Sequence, residues 1–428
     1  MGRMTTATTD VETAIATRAT PDERRATAIG IVLILLGAFV MWAFALGSES
    51  GVRATFNLSL PGARFTDLTW VVNARWMGLA VAVILAFLGG LVLRKSHLAW
   101  TNIALAVGLA LFALAFLTWA AGGKSFSLVG MLKSTVVLSV PVTLGAMTGL
   151  MCERVAVINI AIEGQLLTSA FVGTIVGSAW GIWAGLISAM LTGALLGAVL
   201  AVLAIKYRID QIIAGVVINI FALGLTSFLA RRVLSEAPDL NSPGRFTAFK
   251  IPILGDIPVI GPMFFDHAMF VYATFLLVLV VHFGLFYTRW GLRSRSVGEH
   301  PKAADTVGIN VYRTRYRNVI LGGFIAGFGG AFFTLSQVSR FEENLTAGIG
   351  FIGLAAMIFG RWMPFGVFGA GLVFGFALAL QQKLGILGTP IPSEFLSMTP
   401  YIVTIIVVAG VVGRARPPAA DGKPYIKD

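Results

Sequence analysis

Along this chain apolar residues come in blocks of about twenty, parted by short polar links. A helix rises ~1.5 Å per residue, so ~20 apolar residues can cross the ~30 Å hydrocarbon layer of a bilayer. The blocks predict twelve spans, at 27–46, 71–93, 98–121, 134–151, 164–178, 182–204, 211–230, 268–288, 318–338, 350–361, 364–382 and 398–413. The tenth is short for a crossing and reads as a half-helix paired with its neighbour. Pro141 falls inside the fourth, where it should kink or interrupt the helix, because it lacks an N–H and its ring crowds the preceding turn. The expected fold class is all-α: a polytopic integral membrane protein of about 12 transmembrane helices.

Composition agrees with this pattern. Of 428 residues, 57% are hydrophobic and 12% charged, about half the charge that a water-facing surface needs. The net charge of +12 would suit nucleic acid, but the bases sit in the links between blocks. That is the distribution of a membrane protein with cationic inner loops, so lipid is the expected surrounding and nucleic acid is not a partner. With the N-terminus inside, 21 of the 32 Lys and Arg residues face inward, although the two longest outer loops lie at 47–70 and 231–267. Both termini are therefore expected in the cytoplasm, with 1–26 a disordered tail and 414–428 a C-terminal one. The single cysteine, Cys152, excludes an internal disulfide, and four scattered histidines offer no metal-binding spacing.

The interruptions matter more than the blocks. Glycines four apart, at Gly145/Gly149, Gly193/Gly197, Gly323/Gly327 and Gly371/Gly375, mark seams where helix backbones can approach closely. Residues 153–165, ERVAVINIAIEGQ, place Asn159, Glu163 and Gln165 between two apolar blocks, which reads as a re-entry or a broken helix. Asn159 and Asn219 each sit amid apolar neighbours and can both donate and accept. Glu163 is either a structural carboxylate receiving N–H groups or a contact for whatever passes.

The longest inner link, 289–317, carries seven bases and two acids. Within it Pro301 suits a first helical position and Gly308 a helix end, giving a helix of about two turns with Ala303, Ala304 and Val307 on or near one face. So short a helix needs a surface to dock on; anionic headgroups and a cytoplasmic protein are the two candidates. No nucleotide-binding loop accompanies it. The GGKS at 122–125 has Thr118 where a phosphate loop needs glycine, and no catalytic constellation assembles. The spans are poor in ionisable residues, which disfavours a proton relay. Energy for any pumping would then come from a separate ATPase.

Three stretches carry a resemblance: ERVAVINIAIEGQLLTSAF (153–171), RSVGEHPKAADTVGINVYRTR (295–315) and FEENLTAGIGFIGLAAMIFGRWMPFGVFGAGLVFGFALAL (341–380). In that order and spacing they resemble the nucleoside and simple-sugar permeases of bacterial ATP-binding-cassette (ABC) importers, a group that also carries ribose and branched-chain amino acids. Ala156 and Ala161 stand where that family's signature usually has glycine.

The resemblance implies a type II ABC importer-like permease core over 125–413, preceded by extra helices at 27–124, in a bacterial plasma membrane. It implies cytoplasmic ATPase subunits as partners, a second permease subunit and an extracytoplasmic substrate-binding protein. This chain would be no enzyme and would bind no cofactor or metal, ATP being used by the partner. By likeness, Gly298, Glu299, Pro301, Ala303, Ala304, Gly308 and Ile309 form the segment that couples to the ATPase. Asn159, Glu163, Gln165, Asn219, Phe341 and Asn344 are the candidates for the substrate path. Nucleosides are the expected cargo. Ribose-like sugars, branched-chain amino acids and an ion-coupled mechanism are the alternatives.

Overall fold

The computed structural model describes residues 21–59, 68–94, 98–388, 391–406 and 416–427, and the chain falls into two compact units. One comprises residues up to 128 with 387–389; the other comprises the remainder. Residues 1–20 of the expected N-terminal tail and 407–413 of the twelfth expected span lie outside the described residues.

The first unit contains α1 (Pro21–Phe39), which continues through a π-helical segment at Val40–Leu46, then β1 (Arg53–Asn57), β2 (Thr69–Asn73), α2 (Ala74–Arg94), α3 (Leu98–Ala120) and β3 (Ser125–Ser127). Residues 21–26, expected in a disordered tail, are helical instead. Proline suits the first helical turn, and the Thr27 hydroxyl donates to the Glu23 carbonyl at 2.9 Å within it. The strands form one sheet in the order β2-β1-β3, β1 running antiparallel to β2 and parallel to β3. This small sheet is an addition to the all-α expectation. Its strands of three to five residues are too short to betray an alternating pattern.

The second unit begins with α4 (Leu128–Glu153), α5 (Ile162–Trp180), α6 (Ile182–Ala201, with a π-helical segment to Lys206) and α7 (Gln211–Leu229). A long connection follows, with α8 (Ile260–Phe264) and a two-residue ladder of β4 (Phe249–Lys250) with β5 (Asp266–His267). Then come α9 (Met269–Tyr287), α10 (Arg289–Glu299), α11 (Pro301–Thr306) and α12 (Val311–Phe332, extended by a π-helical segment to Gln337). The last helices are α13 (Ile349–Phe359), α14 (Pro364–Leu387), α15 (Ser393–Ser397) and α16 (Thr399–Ile406).

Each of the twelve expected blocks overlaps a helix, the second after its first three residues in β2 and the twelfth as far as Ile406. Twelve full crossings are not observed. Among the described residues nine helices are long and apolar enough to span a bilayer. α13 has only 11 residues, and α5 carries Glu163 and Gln165 in its first turn. Pro141 does not interrupt α4; the break comes after Glu153. The inner link at 289–317 is mostly helical, because α10 and the first turns of α12 flank the short helix that the sequence predicts.

α4 and α12 are the centre of this unit, buried over 89% and 83% of their apolar lengths, whereas the spans α6, α7, α9 and α14 are buried over 28–44%. The outward faces of α6, α7 and α9 carry Leu191, Ile220 and Leu276, all exposed, as lipid-facing helices should. The glycine pairs supply the close contacts. A Cβ on Gly193 of α6 would fall 2.5 Å from the Gly327 nitrogen of α12. One on Gly149 of α4 would lie 2.9 Å from Met357 Sδ of α13, and one on Gly375 of α14 would lie 2.8 Å from Ser139 Cβ of α4. Small residues here let backbones meet where side chains would hold them apart.

Candidate functional site

The chain between α4 and α5 is a built break. α4 ends in a Schellman arrangement: the Val157 N–H donates to the Cys152 carbonyl at 3.1 Å and the Ala156 N–H to the Glu153 carbonyl at 2.8 Å. The residue that reverses the chain in such an ending adopts the left-handed conformation, and Ala156 does so with φ +60°. Glycine is the residue that adopts it without strain, so alanine holds this position at an energetic cost.

Non-helical backbone buried among apolar helices needs hydrogen-bond partners from elsewhere, and α7 supplies them. Gln211, Gly215 and Asn219 recur every four residues and so share one face of that helix. Gln211 Oε1 accepts from the Ile158 N–H at 2.7 Å. The Asn219 amide donates to the Ile160 carbonyl and accepts from the Gly164 N–H, each at 2.8 Å. Ala161 caps α5 with no side-chain hydrogen bond, so Asn219 reaches across from α7 to satisfy a first-turn donor. Between the two amides, Gly215 leaves room for the break: a Cβ there would lie 2.7 Å from Ile160 Cβ.

Glu163 tethers the break on its other side. Its Oε1 accepts from the Thr346 hydroxyl at 2.5 Å and the Gly348 N–H at 2.8 Å, and its Oε2 accepts from the Gly350 N–H at 2.6 Å. Gly348 has φ +84° and immediately precedes α13, so the carboxylate binds the free donors at the start of the half-helix. Asn159 and Gln165, both fully buried, donate and accept between themselves at 3.2 Å, and Asn159 also donates to Cys152 Sγ at 3.5 Å. Asn159 Oδ1 and Gln165 Nε2 remain without a protein partner, as do the hydroxyls of Thr143, Thr168 and Ser169.

Of the residues singled out from the sequence, Asn159, Glu163, Gln165 and Asn219 are therefore brought together around one break. Phe341 lies farther along α5, buried and edge-on to Phe171 at 5.1 Å, with its backbone clasped by both amide atoms of Asn241. Asn344 does not join the group. It sits exposed in a turn with φ +56°, because the chain must reverse there to bring Thr346 under Glu163. The adjacent acids Glu342 and Glu343 pair with exposed Arg340 and Arg231. Sequence reasoning missed Gln211 and Gly215, whose four-residue spacing with Asn219 is a readable signal, and Gly350, which meets Glu163 only through the fold.

A second cluster lies where α4 ends. Glu153 Oε2 accepts from the Trp362 indole N–H at 2.5 Å, and the Arg154 guanidinium donates to the Trp362 carbonyl, Nε at 3.1 Å. Burial lowers the pKa of Arg154, neighbouring Arg295 lowers it further and Glu299 opposes them. α10 abuts this point directly: a Cβ on Gly298 would overlap the Arg154 carbonyl oxygen. In α11, the His300 ring nitrogen accepts from the Ala303 N–H at 3.2 Å, and Pro301 occupies the first helical position. Gly308, with φ +83°, ends the turn. The expected shared face is divided. Ala304 points inward and is buried with Val311, whereas Ala303 and Val307 are exposed; Ile309 is half-buried. Consecutive residues of an α-helix point ~100° apart, so Ala303 and Ala304 of α11 diverge.

A bundle of apolar helices around a chain break, flanked by a basic helical segment, defines a multi-pass membrane protein. The chain belongs to the family described as branched-chain amino acid transport system / permease component, which matches residues 131–408. It is 41% identical over 311 residues to the guanosine ABC transporter permease protein NupQ of Bacillus subtilis, covering 69% of this chain and 95% of that one. It is 36% identical over 304 residues to the nucleoside ABC transporter permease protein NupC of Lactococcus lactis, covering 68% and 95%. To the putative glucose ABC transporter permease protein TsgC13 of Haloferax volcanii it is 32% identical over 308 residues, covering 67% and 92%. No solved structure matches.

Proposed function

We propose that this chain is one of two permease subunits of an ABC importer for nucleosides. Its energy comes from ATP hydrolysed by separate cytoplasmic subunits, and its cargo arrives on an extracytoplasmic binding protein. The observation that carries this reading is the likeness to a guanosine permease over nearly that protein's whole length. The lower identity to a glucose permease keeps sugars as the second reading.

The geometry supports a division of labour. Glu163, Asn219 and Gln211 spend their polar atoms on backbone groups, so they hold the break in shape. Asn159 and Gln165 each keep one spare buried polar atom, and these are the groups that can meet ribose hydroxyls or base edges when the path opens. α10 and α11 face the cytoplasm and receive the ATPase. A push there reaches Arg154 through Gly298. From Arg154 and Glu153 it reaches Trp362, then α13 and the Glu163 carboxylate. Every link in that route is a contact within this unit.

The discriminating experiment is competition. Labelled guanosine uptake by the assembled importer should be blocked by excess unlabelled nucleosides and unaffected by glucose, ribose or leucine. Inhibition by glucose alone would overturn the nucleoside reading in favour of the sugar one.

A further inference from the structure

The cluster beside Trp362 has a partner from the far end of the sequence. Residues 416–427 lie against it as an irregular segment, with Pro418, Ala420 and Tyr425 buried. The Ala420 N–H donates to the Gly298 carbonyl at 3.0 Å and the Ala419 N–H to Glu299 Oε2 at 3.2 Å, both in α10. Lys427 pairs with Asp305 of α11 at 3.5 Å. Arg315 donates to the Lys423 carbonyl at 3.2 Å, and the Tyr312 ring packs on the Tyr425 ring at 5.3 Å, both from the first turns of α12. On the inner side Asp421 lies beside Glu153, its Oδ1 buried without a hydrogen-bond partner, and Gly422, with φ +70°, sits so close to the break that a Cβ would lie 2.9 Å from Ile158 Cδ1.

We infer that residues 416–427 form a transmission strap, which binds α10, α11 and the base of α12 to the break between α4 and α5 so that they move together. The strap is a positioning element for transport. α10 also meets the break directly, at the Gly298–Arg154 contact and through Val297, buried in one cluster with Val155 and Val157; the strap adds polar ties that reach α11 and α12 as well. A cover over the docking helices is the other use such a segment could have, and the exposures decide between them. Lys302, Ala303, Thr306 and Val307 stay exposed with the strap in place, so it lies behind the docking face rather than over it.

The inference rests on the proposed importer function, and the test separates the two. Wild-type and variant importers, complete with their partner subunits, are reconstituted in proteoliposomes, and nucleoside uptake and ATP hydrolysis are measured on the same vesicles. Absence of ATP-dependent uptake by the wild type would sink the importer reading itself. With the wild type active, Gly422→Val and Tyr425→Ala should lower the nucleosides moved per ATP at least tenfold while ATP hydrolysis and subunit assembly persist. Tyr425→Phe should restore most of the ratio. An unchanged ratio would overturn the strap, and so would a fall that comes only from faster hydrolysis with uptake maintained, which would make the segment a brake on the ATPase.

Discussion

Gly350 and Glu163 hold each other by both backbone and side chain. The Gly350 N–H donates to Glu163 Oε2 at 2.6 Å, and a Cβ on Gly350 would lie 2.7 Å from Glu163 Cα. The half-helix α13 and the first turn of α5 are therefore locked at one point by a carboxylate with three donors. Gly350→Ala should force these two backbones apart, and Glu163→Gln should leave an amide NH2 facing N–H groups. Hydrogen bonds to a charged group contribute ~1.5–3 kcal/mol, so each variant should melt several degrees lower in detergent, with Glu163→Gln also losing uptake. Wild-type melting for Glu163→Gln would contradict a structural carboxylate.

Asn219 makes a sharper case, because its two bonds can be removed separately. Asn219→Asp keeps an acceptor for the Gly164 N–H but loses the donor to the Ile160 carbonyl. It should destabilise by about 1–2 kcal/mol, and Asn219→Leu by more, since both backbone groups are then unsatisfied. Thermal melts of the purified chain compare the three.

Ala156 offers the opposite sign. Its φ of +60° strains any residue with a Cβ, so Ala156→Gly should stabilise the protein by ~1 kcal/mol. The check is a raised melting temperature with uptake retained.

Docking of the strap should depend on pH. Burial pushes the Asp421 carboxyl up to about 6, against the lowering influence of Glu153, the Gly422 N–H and Arg315. A carboxyl whose pKa rises on folding favours the packed state most below its ordinary value of 3.8 and loses that contribution as pH climbs through about 6. Proteolysis of residues 416–427 should therefore accelerate between pH 4 and roughly 7. Asp421→Asn should flatten the dependence; an unaltered profile in that variant would assign it to another group.

On the proposed importer reading, an ATPase docks on the exposed face of α11 and the turn that follows it. Val307, 75% exposed beside Gly308, contributes nothing to the core, so Val307→Asp should weaken co-purification of the ATPase without shifting the melting temperature. Ala304→Trp, which looks similar on the sequence, should instead lower stability, because Ala304 is only 3% exposed.

Much of this was readable from pattern alone. Apolar blocks locate the helices, because lipid leaves a helix few alternatives for its backbone. Gly193/Gly197 and Gly323/Gly327 announce seams, and in the structure those two seams pack on each other. ERVAVINIAIEGQ announces a break. What could not be read is which distant residues complete it. Asn219 lies 55 positions from Gly164, and Gly350 lies 187 from Glu163, and neither spacing leaves a local periodic trace. The strap was equally hidden, since Pro418, Ala420 and Tyr425 stand in a stretch with no helical or strand period. Helix α10 was overlooked because its bases mask its amphipathic character.

The most direct measurement is nucleoside uptake into proteoliposomes holding this chain with its second permease, ATPase subunits and binding protein, with and without internal ATP. Uptake should appear only when ATP and the ATPase are both present. Full-rate uptake by the permease chains alone, driven by an ion gradient without ATP, would contradict the importer mechanism.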